Sequence, residues 1–235
     1  MPFIHTVRPM GTSLRALAAL LSYPGAELRD HLAELRARLH DERALGAERL
    51  AELDALIDAL VRADALDAEA AYVDCFDRGR STSLHLFEHV HGDSRERGPA
   101  LVDLGRTYAE AGLVLADGEL PDYLPVVLEF ASTQPPAQAR AFLGEMAHIL
   151  GAIFAALRER GSAYASVLGA LLDLAGEKAL PVTQAKRTAE SLDESWEEPL
   201  AFDGCSTQGQ ARPGQAQPIH VVRRDGSRPQ PGARA

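Results

Sequence analysis

From Leu14 to Leu172 the apolar residues recur at steps of three and four, the spacing that lines one face of a helix. Leu14, Leu17, Leu20 and Leu21 form the first stripe, with Thr12 and Ser13 as caps and Pro24 and Gly25 as the stop. Leu28, Leu32, Leu35 and Leu39 form the second, and Leu50, Leu53, Ile57 and Leu60 the third. Leu66, Ala70, Val73 and Phe76 predict a fourth helix ending near Gly79. Leu84, Phe87 and Val90 predict a short helix closed by Gly92, followed by a longer one from about Ser94 to Leu115 carrying Leu101, Leu104 and Tyr108. Asp117 and Gly118 break it, and Pro121 and Pro125 mark the first turn of the next, where a missing N–H costs little. After Pro135 and Pro136, Phe142, Met146, Ile149 and Ile153 make a strong stripe, and Ser162 caps a last helix with Val167, Leu168, Leu171 and Leu172. Period-two alternation and Asn-Gly turns are absent, and no repeat stands out, so the expected class is all-α.

Composition agrees. The 235 residues suit one compact multi-helix domain; 46% are hydrophobic, with Ala and Leu dominant, and only 6% are aromatic, a mixture that favours helices over packed sheets. The pattern predicts a flexible N-terminus over 1–11, the helical domain over 12–203 and a disordered C-terminal tail over 204–235. From Cys205 onward the chain is rich in Gly, Pro, Gln and Arg, too little apolar surface to offset the entropy of ordering. Its five Arg against one Asp leave it at +4, so the remainder carries −14 of the overall −10. A body so acidic is expected to avoid nucleic acid and attract basic peptide.

Two cysteines, Cys75 and Cys205, make neither a disulfide framework nor a Cys-rich metal site. The N-terminus has no basic segment leading into an apolar run, no stretch is long enough to span a bilayer, and Arg223-Arg224 stands far from the N-terminal position an export signal needs. The expectation is a cytoplasmic protein with no membrane insertion.

Three blocks hold the candidate chemistry. His85-Leu86-Phe87-Glu88-His89 fits H-x-x-E-H, which on one helix face would offer two imidazoles to zinc, with Glu145 or Glu159 as third ligand. The chain lacks the mixed α/β framework of such peptidases, and a hydrogen-bonded His85–Glu88 pair is the preferred structural reading. His91-Gly92-Asp93-Ser94 reads as a turn into a helix, with Asp93 or Ser94 as cap and Arg95, Arg97 and Arg106 adding positive charge. Glu119-Leu120-Pro121-Asp122-Tyr123 places Asp122 at the opening of a helix, where a carboxylate caps free N–H groups. Phosphate-cradling loops and a Ser-His-Asp set are missing, so no cofactor and no catalysis are expected. The mixture of aromatics, acids and His suits gripping a peptide. Tyr72, Phe76, Phe87 and Tyr123 are the aromatic candidates, with Val127 behind them; Glu88, His91, Arg95 and Asp122 are the polar ones.

The blocks Tyr72–Gly98 and Glu119–Ala131, together with Trp196-Glu197-Glu198-Pro199-Leu200-Ala201-Phe202, closely resemble the NarJ-type nitrate reductase assembly chaperones, within the wider TorD and DmsD family of redox-enzyme maturation proteins. Tyr123 stands where the wider family often has His. The resemblance implies a TorD-like helical fold and a chaperone that is not part of the final enzyme. The implied client is the N-terminal segment of the nitrate reductase catalytic (alpha) subunit, held until molybdenum cofactor is inserted and before membrane attachment. Molybdenum cofactor delivery proteins are further implied partners. The alternatives are a chaperone for a dimethyl sulfoxide or trimethylamine oxide reductase, and the zinc hydrolase.

Overall fold

The computed structural model describes residues 7–92 and 94–177. Expectations for residues 1–6, Asp93, the Trp196 segment and the tail lie outside the described residues. Ten helices are found there: α1 (Gly11–Leu20), α2 (Ala26–Glu42), α3 (Ala47–Arg62), α4 (Ala65–Phe76), α5 (Leu86–His91), α6 (Arg97–Glu110), α7 (Leu124–Thr133), α8 (Pro136–Glu145), α9 (Ala147–Glu159) and α10 (Ala165–Ala175). A single 3-10 turn, Arg80–Thr82, joins α4 to the segment before α5. No strand occurs among the described residues; one isolated antiparallel bridge pairs His85 with Tyr123. The fold is all-α, as the sequence predicts.

Two helices form the centre. α10 is apolar nearly all round and buries Ala165–Leu172 and Leu174, so it must be surrounded. α9, α8 and α3 pack against it, and α1 touches it as well. α1 buries Leu14, Leu17 and Leu20 and packs chiefly on α7 and α2. α3 is fastened to α10 by a buried cation: Arg49 gives its Nε to Asp173 at 2.8 Å and pairs with Glu52. Gly169 leaves the space that this guanidinium occupies.

The observed helices depart from the predicted stripes in three places. α4 buries Ala68, Tyr72, Cys75 and Phe76 rather than Leu66, Ala70 and Val73; Leu66, in the first turn, is 74% exposed. The larger rings set the buried face, and Tyr72 and Phe76 pack against Tyr164 at centroid distances of 6.0 and 5.0 Å. The stripe after Pro135 is divided between α8 and α9, which meet at Met146 with a bend of 66°. The helix expected over 94–115 ends at Glu110, because Gly112, at φ +80, lets the Leu113 N–H turn back to the Tyr108 carbonyl at 2.9 Å. Ser162 is not the cap expected of it: its Oγ accepts from the Tyr164 N–H in the turn ahead of α10, whose N-cap is Tyr164 itself.

Cys75 is buried, and burial raises its thiol pKa above the ordinary value, against the hydrogen bond with Ser162. No single helix among the described residues is long and apolar enough to cross a membrane.

The α1–α7 contact is close enough to test. A Cβ at Gly11 would lie 2.8 Å from the Ser132 carbonyl oxygen of α7. Gly→Ala within a helix ordinarily stabilises by roughly 0.5–1 kcal/mol. Here Gly11→Ala is expected to destabilise by about 1–3 kcal/mol, the usual cost of overpacking, read as a lowered urea midpoint; a raised midpoint would show that the two helices part freely.

Candidate functional site: the Pro-Asp-Tyr corner

The segments 83–87 and 121–124 run antiparallel for one bridge. The Leu86 N–H donates to the Asp122 carbonyl at 3.0 Å, and the Leu124 N–H to the Leu84 carbonyl at 2.8 Å. Pro125 in the first turn of α7 cannot donate an N–H and needs no acceptor there. Behind the corner, Tyr108 of α6 donates its hydroxyl to the Pro121 carbonyl at 2.8 Å and lays its ring against Phe130, centroids 4.8 Å apart.

Asp122 is fully buried, 0% exposed, so its carboxylate has to be met by donors. Oδ2 accepts the Phe87 N–H at 3.1 Å and lies 3.7 Å from Arg97 Nη2; Oδ1 is 3.5 Å from His85 Nδ1. Asp122 therefore caps α5, not the helix it immediately precedes, which is where the sequence reading had placed it. Burial pushes the Asp122 pKa upward, but the His85 ring, the Phe87 N–H and the Arg97 charge together bring it below the ordinary value. The same hydrogen bond raises the His85 pKa and outweighs the burial that lowers it.

Around this carboxylate the polar groups close on one another. Arg97 Nη2 also reaches Glu88 Oε1 at 3.3 Å, and Glu88 Oε2 accepts the Ser83 hydroxyl at 2.6 Å. The His89 ring nitrogen Nε2 pairs with the Ser83 carbonyl at 2.8 Å. The expected His85–Glu88 pair is thus replaced by His85–Asp122 and Glu88–Ser83. Arg97 and Ser83 are not among the candidates that the sequence offers: nothing in local spacing links Arg97 to Asp122 across the intervening chain, or marks Ser83 as the partner of Glu88 and His89.

The zinc reading finds no geometry here. His85 lies before the first turn of α5 and faces Asp122, His89 is turned to Ser83, and Glu145 and Glu159 end α8 and α9. Among the described residues no three His, Cys, Asp or Glu are placed to hold a metal ion.

The aromatic candidates divide by depth. Tyr72 and Phe76 are in the core. The Tyr72 hydroxyl donates to the Leu21 carbonyl at 2.7 Å and meets the Tyr123 hydroxyl at 3.3 Å. Val127 is buried on the inner face of α7. Tyr123 is half-buried, its ring tilted on that of His85 with centroids 5.3 Å apart. Phe87 and His91 are half-buried on α5 and meet edge to face at 5.6 Å; Arg95 is exposed ahead of α6. The corner thus offers a rim of His85, Phe87, Glu88, His91 and Tyr123, held from below by Asp122 and Tyr72, while Phe76 and Val127 lie in the core. None of these groups forms an activated nucleophile.

A family model described as the nitrate reductase delta subunit matches residues 26–168. The nitrate reductase molybdenum cofactor assembly chaperone NarJ of Escherichia coli is 40% identical over 190 residues, covering 77% of this chain and 80% of that one. The chain belongs to the NarJ-type assembly chaperone family. This is a family of chaperones, not of enzymes. The nitrate reductase-like protein NarX of Mycobacterium tuberculosis is 36% identical over 164 residues, 68% of this chain but 24% of that longer protein. A crystal structure from Archaeoglobus fulgidus, assigned to the redox enzyme maturation proteins, superposes with a TM-score of 0.51 over 72% of this chain and 94% of that one; at 20% identity it speaks for the fold alone.

Two measurements test the corner. Asp122→Ala leaves the Phe87 N–H, the His85 ring and Arg97 without their shared acceptor, so a loss of about 3 kcal/mol is expected, with Asp122→Asn losing less; wild-type stability in the alanine variant would show the carboxylate to be dispensable. The second concerns pH. A raised His85 pKa contributes stability that is fully present below the ordinary value of about 6.5 and is lost as pH rises through the folded one. The depressed Asp122 pKa contributes stability above its ordinary carboxylate value and loses it as pH falls through the folded one. The stability gap between wild type and His85→Gln should therefore be wider at about pH 6 than at about pH 9; the reverse order would contradict the pairing.

Proposed function

We propose that this protein is a cytoplasmic chaperone for the nitrate reductase catalytic subunit. It binds the N-terminal segment of the apo-subunit and holds it until molybdenum cofactor is inserted and before the complex attaches to its membrane. Molybdenum cofactor delivery proteins would meet it in that complex. The observation that carries this reading is the 40% identity to the E. coli chaperone over most of both chains. The acidic body supports it, since a basic leading segment would be drawn to it.

The corner is the proposed grip. Phe87 and Tyr123 supply aromatic area, while Glu88, His91 and Arg95 meet the polar and charged groups of the segment; Tyr72, Phe76, Asp122 and Val127 hold these in position. Four apolar anchors at about 2 kcal/mol each contribute about 8 kcal/mol, from which ordering a peptide removes about 2–5 kcal/mol. Micromolar binding needs about 8 kcal/mol, so the polar rim has to supply the difference. An affinity of that order also permits release.

Pull-down from nitrate-respiring cells, with the captured subunit identified by mass, is expected to return the nitrate reductase catalytic subunit. Calorimetry with its synthetic N-terminal segment should show about tenfold weaker binding for Tyr123→Ala than for wild type, near 1.4 kcal/mol. Capture of a different molybdoenzyme, or no heat with the wild type, would overturn the assignment.

A further inference from the structure

Past Gly112 the chain runs without regular structure through Leu113, Val114 and Leu115, three consecutive apolar residues. Nothing in the fold uses Val114, which is 95% exposed. Between this run and the outer face of α7 lies a cleft of about 340 Å³, walled by Tyr108, Leu113, Leu115, Val126 and Phe130. A cavity of about 150 Å³ holds one benzene-sized group, so this one accommodates about two apolar side chains. Two such groups are what an amphipathic helix presents at i and i+3 or i+4.

The rim has a sign. Glu129 lines the cleft and is exposed; Glu110 and Asp117 flank the run on either side. Against them stand Arg15, whose Nε is given to Ser132 Oγ at 3.1 Å, and Arg106, whose guanidinium lies 2.9 Å from Asp103 and 4.0 Å from Glu110. A second copy of this acidic chain would bring like charge to the cleft, and a stable dimer needs roughly 1,000 Å² of buried surface, far more than a space for two side chains. An amphipathic helix fits the shape, and the net acidity of the body around the cleft favours a basic one.

We propose that this cleft is a second docking point for the client: it takes two apolar side chains of a client helix and sets a basic residue of that helix against Glu129. The proposal rests on the reading of the protein as a peptide-binding chaperone, and adds a point of contact on the opposite side of Tyr108 and Pro121 from the His85 rim. Tyr108 joins the two, since its ring lines the cleft and its hydroxyl holds the Pro121 carbonyl.

Calorimetry with the synthetic N-terminal segment of the nitrate reductase catalytic subunit decides it. Val114→Glu removes a side chain that the fold does not use, and Val126→Glu places a charge in the cleft wall. Each is expected to weaken binding at least tenfold with an unchanged circular dichroism spectrum. Glu129→Lys should weaken it about threefold and flatten its salt dependence. Val61→Glu, a like change on exposed α3 surface, should leave affinity unaltered. If Val114→Glu and Val126→Glu bind as wild type does while Tyr123→Ala is impaired, the client uses the corner alone and the cleft proposal is overturned, with the chaperone reading intact. If wild type fails to bind the peptide, the chaperone reading itself fails. If Val114→Glu converts a dimer to monomer in sedimentation without changing peptide affinity, the cleft belongs to a second copy, which also overturns the proposal.

Discussion

A carboxylate taken wholly out of water organises the middle of this protein. Asp122 has no exposed surface, so its charge persists only because an N–H and an imidazole from the segment 85–87 and a guanidinium from the head of α6 converge on it. The convergence is what fixes α5 against the start of α7 and clasps the head of α6. Without it, α5 has little to hold it: it is six residues long, and among its side chains only Leu86 is buried. Intrinsic propensity does not sustain so short a helix in water. The exposed rim of the corner is therefore a product of buried electrostatics rather than of helix-forming tendency.

The scaffold beneath is built differently. α1 and α10 are apolar on most sides and are shielded by α2, α3, α7, α8 and α9, so the core is a matter of area and fit. A charged residue buried within it, Arg49, is met by Asp173 and Glu52 and fills the space left by a glycine. The proposed grip lies at the edge of this body, where α5, α6 and the run after Gly112 carry few buried residues of their own. The proposed grip and release would gain from that division: the core holds its shape while the rim depends on a few polar bonds.

Much of the scaffold was legible in the sequence because leucine stripes report the buried face directly; α1, α2 and α3 follow their stripes. α4 did not, because Tyr72 and Phe76 outweigh Leu66 and Val73 in area and take the inner face. The break at Met146 was invisible: no proline stands there, and an apolar stripe continues across it. At the corner, the placement of Asp122 and Tyr123 ahead of α7 was readable from the Pro-Asp-Tyr block. Their partners were not. His85, the Phe87 N–H and Arg97 reach Asp122 only through tertiary packing, and an acid ahead of a helix looks like a cap for that helix when it caps another.

Cys75 carries a last consequence. The thiolate is the reactive form of cysteine, and burial keeps this side chain in the neutral thiol form by lifting its pKa. Its sulfur sits 3.5 Å from the Ser162 hydroxyl, between α4 and the start of α10, away from the exposed rim. Burial thus holds this sulfur out of thiol–disulfide exchange: a cysteine of any chain that the protein meets would find no nucleophile at this position.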